Sequence, residues 1–351
     1  MLLALALATL ALTGIGPLMV PAHMVWVRQV GNYSTGVSVT NSALYVVSAG
    51  TIGLPNQVSK YDFDGNLLWT HTRAPNAGYL AAIASGPDAL YLVGRDANGF
   101  LEKYDFDGNL IWQRHIDVSG ESVSSNDVSV GPNAIYASGL GPEDGLVVKF
   151  DAAGNRLWTH QFTFGYVGGV SAGPKGVYVV GTACFILRYC PHSYGFVMAI
   201  DTNGNEIWTR DLSPDYPSAV SAGPAGVYVS GERLNAPGQG YGIVDTFIRR
   251  YDFNGNEVWT RTFGFSDSYT NLGWLSQGPD EIYAVGSIVC GICQKNSGLV
   301  VHVDHKGNKV WALPLEEEDS PVGIAVSAKE VFITGLPSVV ALCVSPSCAS
   351  D

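Results

Sequence analysis

The chain has 351 residues, with 42 Gly and 18 Pro, 46% hydrophobic and only 14% charged. Its 8 Trp, 17 Tyr and 13 Phe are enough to bury a core, which excludes disorder, and the glycines follow no three-residue period, which excludes collagen. A formal net charge of −12 argues against a nucleic-acid partner, whose phosphates call for a basic face.

The first element is a targeting segment. Residues 1–22 contain no charged side chain, and Leu2 to Leu12 is an apolar run broken only by Thr9. That is the length of a signal-peptide core and too short to span a bilayer alone. Val20-Pro21-Ala22 supplies the small residue of a cleavage site, so the cut is expected before His23. The rival reading keeps residues 1–22 as an uncleaved anchor, although Gly14, Gly16 and Pro17 make a poor helix. Both readings export the remainder to the cell surface or beyond, and a membrane contact is expected only if the segment is not cleaved.

Seven tryptophans follow, at 26, 69, 112, 158, 208, 259 and 311, spaced by 43 to 52 residues. Before six of them stands an Asp-x-x-Gly-Asn motif opening at Asp62, Asp105, Asp151, Asp201, Asp252 and Asp304. An aromatic recurs between the tryptophans at Tyr45, Tyr91, Tyr136, Tyr178, Tyr228, Tyr283 and Phe332. Such a period, with strand-forming residues and turn signals, predicts blades of a propeller, and no 3.6-residue helical pattern competes.

Each unit reads as four short strands. The innermost pairs an aliphatic residue with a small one, as in Val170-Ser171, and small side chains suit the crowded strand at the axis. The outermost carries an aliphatic residue directly before Trp, as in Leu68-Trp69; neighbours in a strand point to opposite faces, so both faces are expected to be buried between sister blades. The Asp-x-x-Gly-Asn segment is expected to be a tight hairpin, with Asp capping backbone N–H groups and Gly at positive φ. A calcium loop is the alternative, but the third position runs Asp64, Asp107, Ala153, Asn203, Asn254 and Lys306, and Ala or Lys would not replace a ligand.

The last unit has strands near 322–326, 331–334 and 338–344 but no Trp strand after them, while the strand around Trp26 has no partners before it. The expected fold is therefore an all-β seven-bladed β-propeller of four-stranded antiparallel blades, closed by the N-terminal strand completing the last blade. The expected domains are 1–22, a signal peptide, 23–345, the propeller, and 346–351, a tail.

These motifs resemble the seven-bladed propeller repeats of the SBBP type and, more distantly, the pyrroloquinoline-quinone-like repeats, over about residues 24–345. The resemblance implies the architecture and is shared by proteins of many functions. A quinoprotein dehydrogenase of the related family would have eight blades, adjacent cysteines and an acidic calcium site; this chain has seven Trp units and no Cys-Cys pair. No catalytic motif, metal set or cofactor is read here. His71 and His160 stand two residues after their Trp, where Arg28, Arg114, Arg210 and Arg261 occupy the same slot, which points to a structural cation beside Trp.

Six cysteines fall in local pairs, Cys184 with Cys190, Cys290 with Cys293 and Cys343 with Cys348. In an exported protein these read as disulfides, although Cys290-Gly291-Ile292-Cys293 also fits a redox motif or half a zinc site.

The short turns share one end of the propeller, and the long loops 182–195, 231–246 and 287–298 share the other, which is the expected functional face. Seven residues before each Gly-Pro-type turn stand Tyr33, Tyr79, Ser124, Tyr166, Tyr216, Asn271 and Ser320. This polar-aromatic ring is expected to edge the channel mouth, where it suits a sugar or an extended peptide; packing between blades is the bland alternative. The expected function is a module binding a glycan, peptide or protein. An enzyme, a lyase or hydrolase, would have to recruit Asp127, His192, Asp215 or the Glu316–Asp319 run from separate loops; Asp127 also stands among the binding candidates. A structural cell-surface component is the third reading.

Overall fold

The structure, a computed structural model, describes residues 22–344 apart from 31–32, 51–54, 75–76, 97, 118–122, 142–143, 163–164, 185–192, 235–243, 265–267, 279–280, 291–295, 318–320 and 336–337. All of the expected signal peptide but Ala22, the tail, and the central parts of the three long loops lie outside these residues.

The described chain forms seven four-stranded antiparallel sheets. Numbered along the chain, the innermost strands of the blades are Ser34–Val39, Tyr79–Ser85, Ser124–Gly131, Gly165–Gly173, Asp215–Gly223, Ser268–Gln277 and Pro321–Val326. Each blade then runs outward, ending in a Trp strand such as Leu67–Thr72 or Arg156–Phe162. In blade 7 the outermost strand is His23–Gln29, which pairs antiparallel with Ser338–Cys343 so that Arg28 faces Val339. The ring thus closes by joining the two ends of the chain, and no open sheet edge is left between the first and last blades.

The core lies between blades. The second-strand aromatics Tyr45, Tyr91, Tyr136, Tyr178, Tyr228, Tyr283 and Phe332 are all buried, each worth about 1.5–3 kcal/mol of burial. Every one meets the Trp of its own blade in a tilted pair, with ring centroids 5.9–6.1 Å apart. The two recurring aromatics of the sequence are one contact, repeated seven times.

The Trp in turn fastens its blade to the next. The Trp26 Nε1 donates to the carbonyl of Phe63 at 2.8 Å, and Trp158, Trp208 and Trp259 donate to the equivalent turns at 3.0–3.2 Å. Two residues on, Arg28, Arg210 and Arg261 donate Nε to the carbonyls of Gly65, Gly255 and Gly307 at 2.7–2.8 Å while lying over their own Trp rings. The cation slot is structural, and its work is interblade.

The turn itself is built as its residue types require. The Asp62 carboxylate accepts both the backbone N–H and the side-chain amide of Asn66, and Gly65 has φ +77. These hydrogen bonds, the Asn side chain first, hold Asp62, Asp105 and Asp151 below the ordinary carboxylate range. Both oxygens of Asp62 are committed to the turn.

Two expectations change. The aliphatic residue before Trp is not buried: Leu68, Ile111 and Leu157 are each more than half exposed, and Val25, Ile207, Val258 and Val310 are also exposed. Blades diverge from the axis, so at the rim the neighbouring turn covers only the Trp face of the outer strand. The small innermost residues also do more than fit. Ser38, Ser129 and Ser171 accept backbone N–H bonds from Ser85, Ala172 and Ala222 of the following blade.

Candidate functional site

Each innermost strand breaks register at the same point. Its pairing skips Thr35, Ala81, Asn126, Gly168, Ser218, Gly273 and Val322 in turn. An extra residue in one strand of a pair bends that strand and re-aims its side chain. Here all seven extra residues line a single cavity of about 750 Å³. The second strand makes room for the bulge with glycine: a Cβ at Gly94, Gly181, Gly231 or Gly286 would strike the carbonyl oxygen of Tyr79, Tyr166, Tyr216 or Asn271.

The cavity gathers Tyr33, Tyr79, Tyr166 and Asn271 of the expected ring. The three tyrosines are 42–44% exposed, so their rings border the opening instead of wedging between blades. They stand at the starts of the innermost strands, at the end of the propeller that carries the long loops. Asn271 donates to the Glu232 carboxylate, which fixes its amide.

Other expected residues stand elsewhere. Ser124 and Tyr216 are not in the lining; Pro217 and Ser218 take the blade 5 sector. Asp127, one residue past its bulge, accepts backbone N–H bonds from Val128 at 2.8 Å and from Val170 of blade 4 at 3.0 Å. Burial outweighs those bonds and pushes its carboxyl up to about 6. Asp215 is 1% exposed, clasped by Arg233 Nε and Nη2 at 2.8 and 2.9 Å and by Arg249 Nη2 at 2.6 Å. Both oxygens are held by arginines, one bond on Oδ1 and two on Oδ2, so its charge is committed to these buried ion pairs. Ser320, His192 and the Glu316–Asp319 side chains lie outside the described residues, as do the side chains of Cys184, Cys190, Cys290, Cys293 and Cys348. Cys343 is buried and disulfide-bonded. Among the described residues, no group of three or more His, Cys, Asp or Glu could hold a metal ion.

The cavity residues that escaped the sequence reading include Trp274, Arg95 and Asn126. Trp274 is the eighth tryptophan, outside the repeat motif, and 38% exposed. Its displacement from the motif was the available signal. Asn126 had none, because a bulge reverses the alternation that a strand pattern relies on, and Arg95, at the end of its strand, belongs to no repeated motif.

These features define a seven-bladed β-propeller with a polar-aromatic cavity in the mouth of its channel. Residues 143–344 match the PQQ_2 family, described as Outer membrane protein assembly factor BamB, and the chain belongs to that family. Among solved structures it is similar to a chain of the mitotic checkpoint complex, at 13% identity and a TM-score of 0.64, covering 98% of this chain and 99% of that one. It is also similar to BamB from Moraxella catarrhalis, at 13% identity and a TM-score of 0.49, covering 89% of this chain and 86% of that one. At 13% identity the likeness to the checkpoint-complex chain is one of fold. Comparison with curated proteins finds no match.

Proposed function

We propose that this protein is an exported interaction module that grips an extended segment of a partner protein in the channel-mouth cavity. The observation that carries this is the convergence of four exposed aromatic side chains, Tyr33, Tyr79, Tyr166 and Trp274, on one concavity. Exposed aromatic area of this kind lowers no folding energy and suits a ligand surface. The family's description as an assembly factor supports a protein partner. Ser124 and Tyr216 are assigned to the rim of the mouth, and the repeat to the SBBP type on its recurring Asp-x-x-Gly-Asn and Trp motifs.

Export rests on the apolar segment 1–22 and on the paired cysteines. The secreted protein should begin at His23 and gain about six mass units on full reduction, two for each disulfide; free thiols in the unreduced protein would refute the pairing.

The binding reading is tested by probing the full chain with an array of short capped peptides beside an array of glycans. The wild type should retain peptides, and Tyr79→Ala and Trp274→Ala should lose them while melting within a few degrees of wild type. Retention that both substitutions leave intact would sink the reading.

A further inference from the structure

We propose that the cavity selects a carboxylate of the partner polypeptide, with Arg95 as its counter-ion; this rests on the binding reading above. Among the described residues lining the cavity, Arg95 is the single charged one. It stands there in a chain whose net charge is −12. Three other arginines have carboxylate partners within the fold: Arg73 pairs with Glu102 at 2.6 Å, and Arg233 and Arg249 share Asp215 at 2.8 and 2.6 Å. Arg95 is exposed and, among the described residues, pairs with no carboxylate. Its one hydrogen bond is from Nη2 to Asn126 Oδ1 at 3.2 Å.

That bond orients the guanidinium without consuming it. Asn126 is the bulged residue of blade 3, and its amide is anchored by donation to the carbonyl of Val167 in blade 4 at 3.0 Å. The remaining N–H groups of Arg95 form the planar fork that suits a carboxylate. One cation with no lysine beside it matches one negative charge better than a phosphate dianion. Tyr79 is the cross-strand partner of Arg95, so an apolar residue next to the acid in the partner segment would meet its exposed ring. Recognition would thus couple one charge-assisted contact to aromatic packing, at a point set by the register of blade 2.

The test uses the full chain and three sets of short peptides carrying an aromatic residue: capped with Glu in the middle, capped with Gln there, and Gln peptides with a free C-terminus. The wild type should bind the Glu set, or the free-end set if the carboxylate is terminal, on the order of ten- to a hundredfold more tightly than the capped Gln set. Arg95→Gln should abolish that preference, so that the three sets bind alike, and Arg95→Lys should restore part of it. Equal binding of all three sets by the wild type would overturn the carboxylate assignment while leaving the peptide reading standing. No peptide bound at all, or binding only of uronate-bearing glycans in a parallel array, would overturn both. A preference that survives in Arg95→Gln would remove Arg95 from the site.

Discussion

The carbonyl oxygen of Tyr166 occupies the space that a Cβ at position 181 would need. Gly181 is therefore the residue that lets blade 4 bulge at Gly168 and turn Tyr166 toward the cavity. Gly181→Ala should lower stability by about 1–3 kcal/mol, as an enforced backbone shift does, and should move Tyr166. Gly141→Ala, whose Cβ would meet only the Asp144 carbonyl at 3.3 Å, should cost far less. Denaturant melts of the two variants side by side decide it; equal losses would mean that the bulge tolerates a side chain.

Closure of the ring can be tested by truncation. Removing residues 1–22 leaves His23–Gln29 in place, whereas removing 1–31 strips the outermost strand of blade 7 together with Trp26 and its bond to Phe63. The shorter protein should melt markedly lower or aggregate through the bared strand Ser338–Cys343. Equal melting temperatures would contradict the pairing.

Asp215 holds two guanidinium groups with one carboxylate. Asp215→Asn leaves the buried Arg249 with only its longer contact to the half-exposed Glu257 at 3.6 Å, and breaking the buried pair with Asp215 should cost about 3–5 kcal/mol. Chemical denaturation should show that loss; a change below about 1 kcal/mol would show the charge to be dispensable.

Asp127 gives a pH signature. Its folded-state carboxyl is pushed up to about 6 from an ordinary value of 3.8, so between those values the folded protein holds the proton more tightly than the unfolded one. This group therefore lends stability at low pH that is lost as pH rises through about 4 to 6. Asp127→Asn cannot ionise, so its stability relative to wild type should improve across that window by about 3 kcal/mol. The turn carboxylates titrate in both proteins and cancel. A difference flat from pH 4 to 7 would refute the displaced carboxyl.

Much of the ring was legible because its parts recur. Trp158 and Tyr136 are visible by their period alone, and the missing Trp strand after Val344 sufficed to foresee closure by His23–Gln29. The ring tyrosines could be found the same way, by counting back from the turn. What resisted was whatever depends on the space between blades. The alternation at Leu157-Trp158 reads as two buried faces, yet only the Trp face is covered, since the distance between neighbouring sheets grows with radius.

Local patterning thus determined the blade, the turn chemistry and the number of repeats, because strand period and turn residues act over a few neighbours along one chain. The tertiary structure decided which of seven equivalent positions became a site. Tyr33, Tyr79, Tyr166 and Trp274 lie far apart in the chain and meet only because seven bulges converge on one axis. Arg95 is left without a counter-ion there, while Arg73, Arg233 and Arg249 have one. Which charges find partners is settled by the packing of blades against one another, a three-dimensional matter that spacing along the chain does not encode.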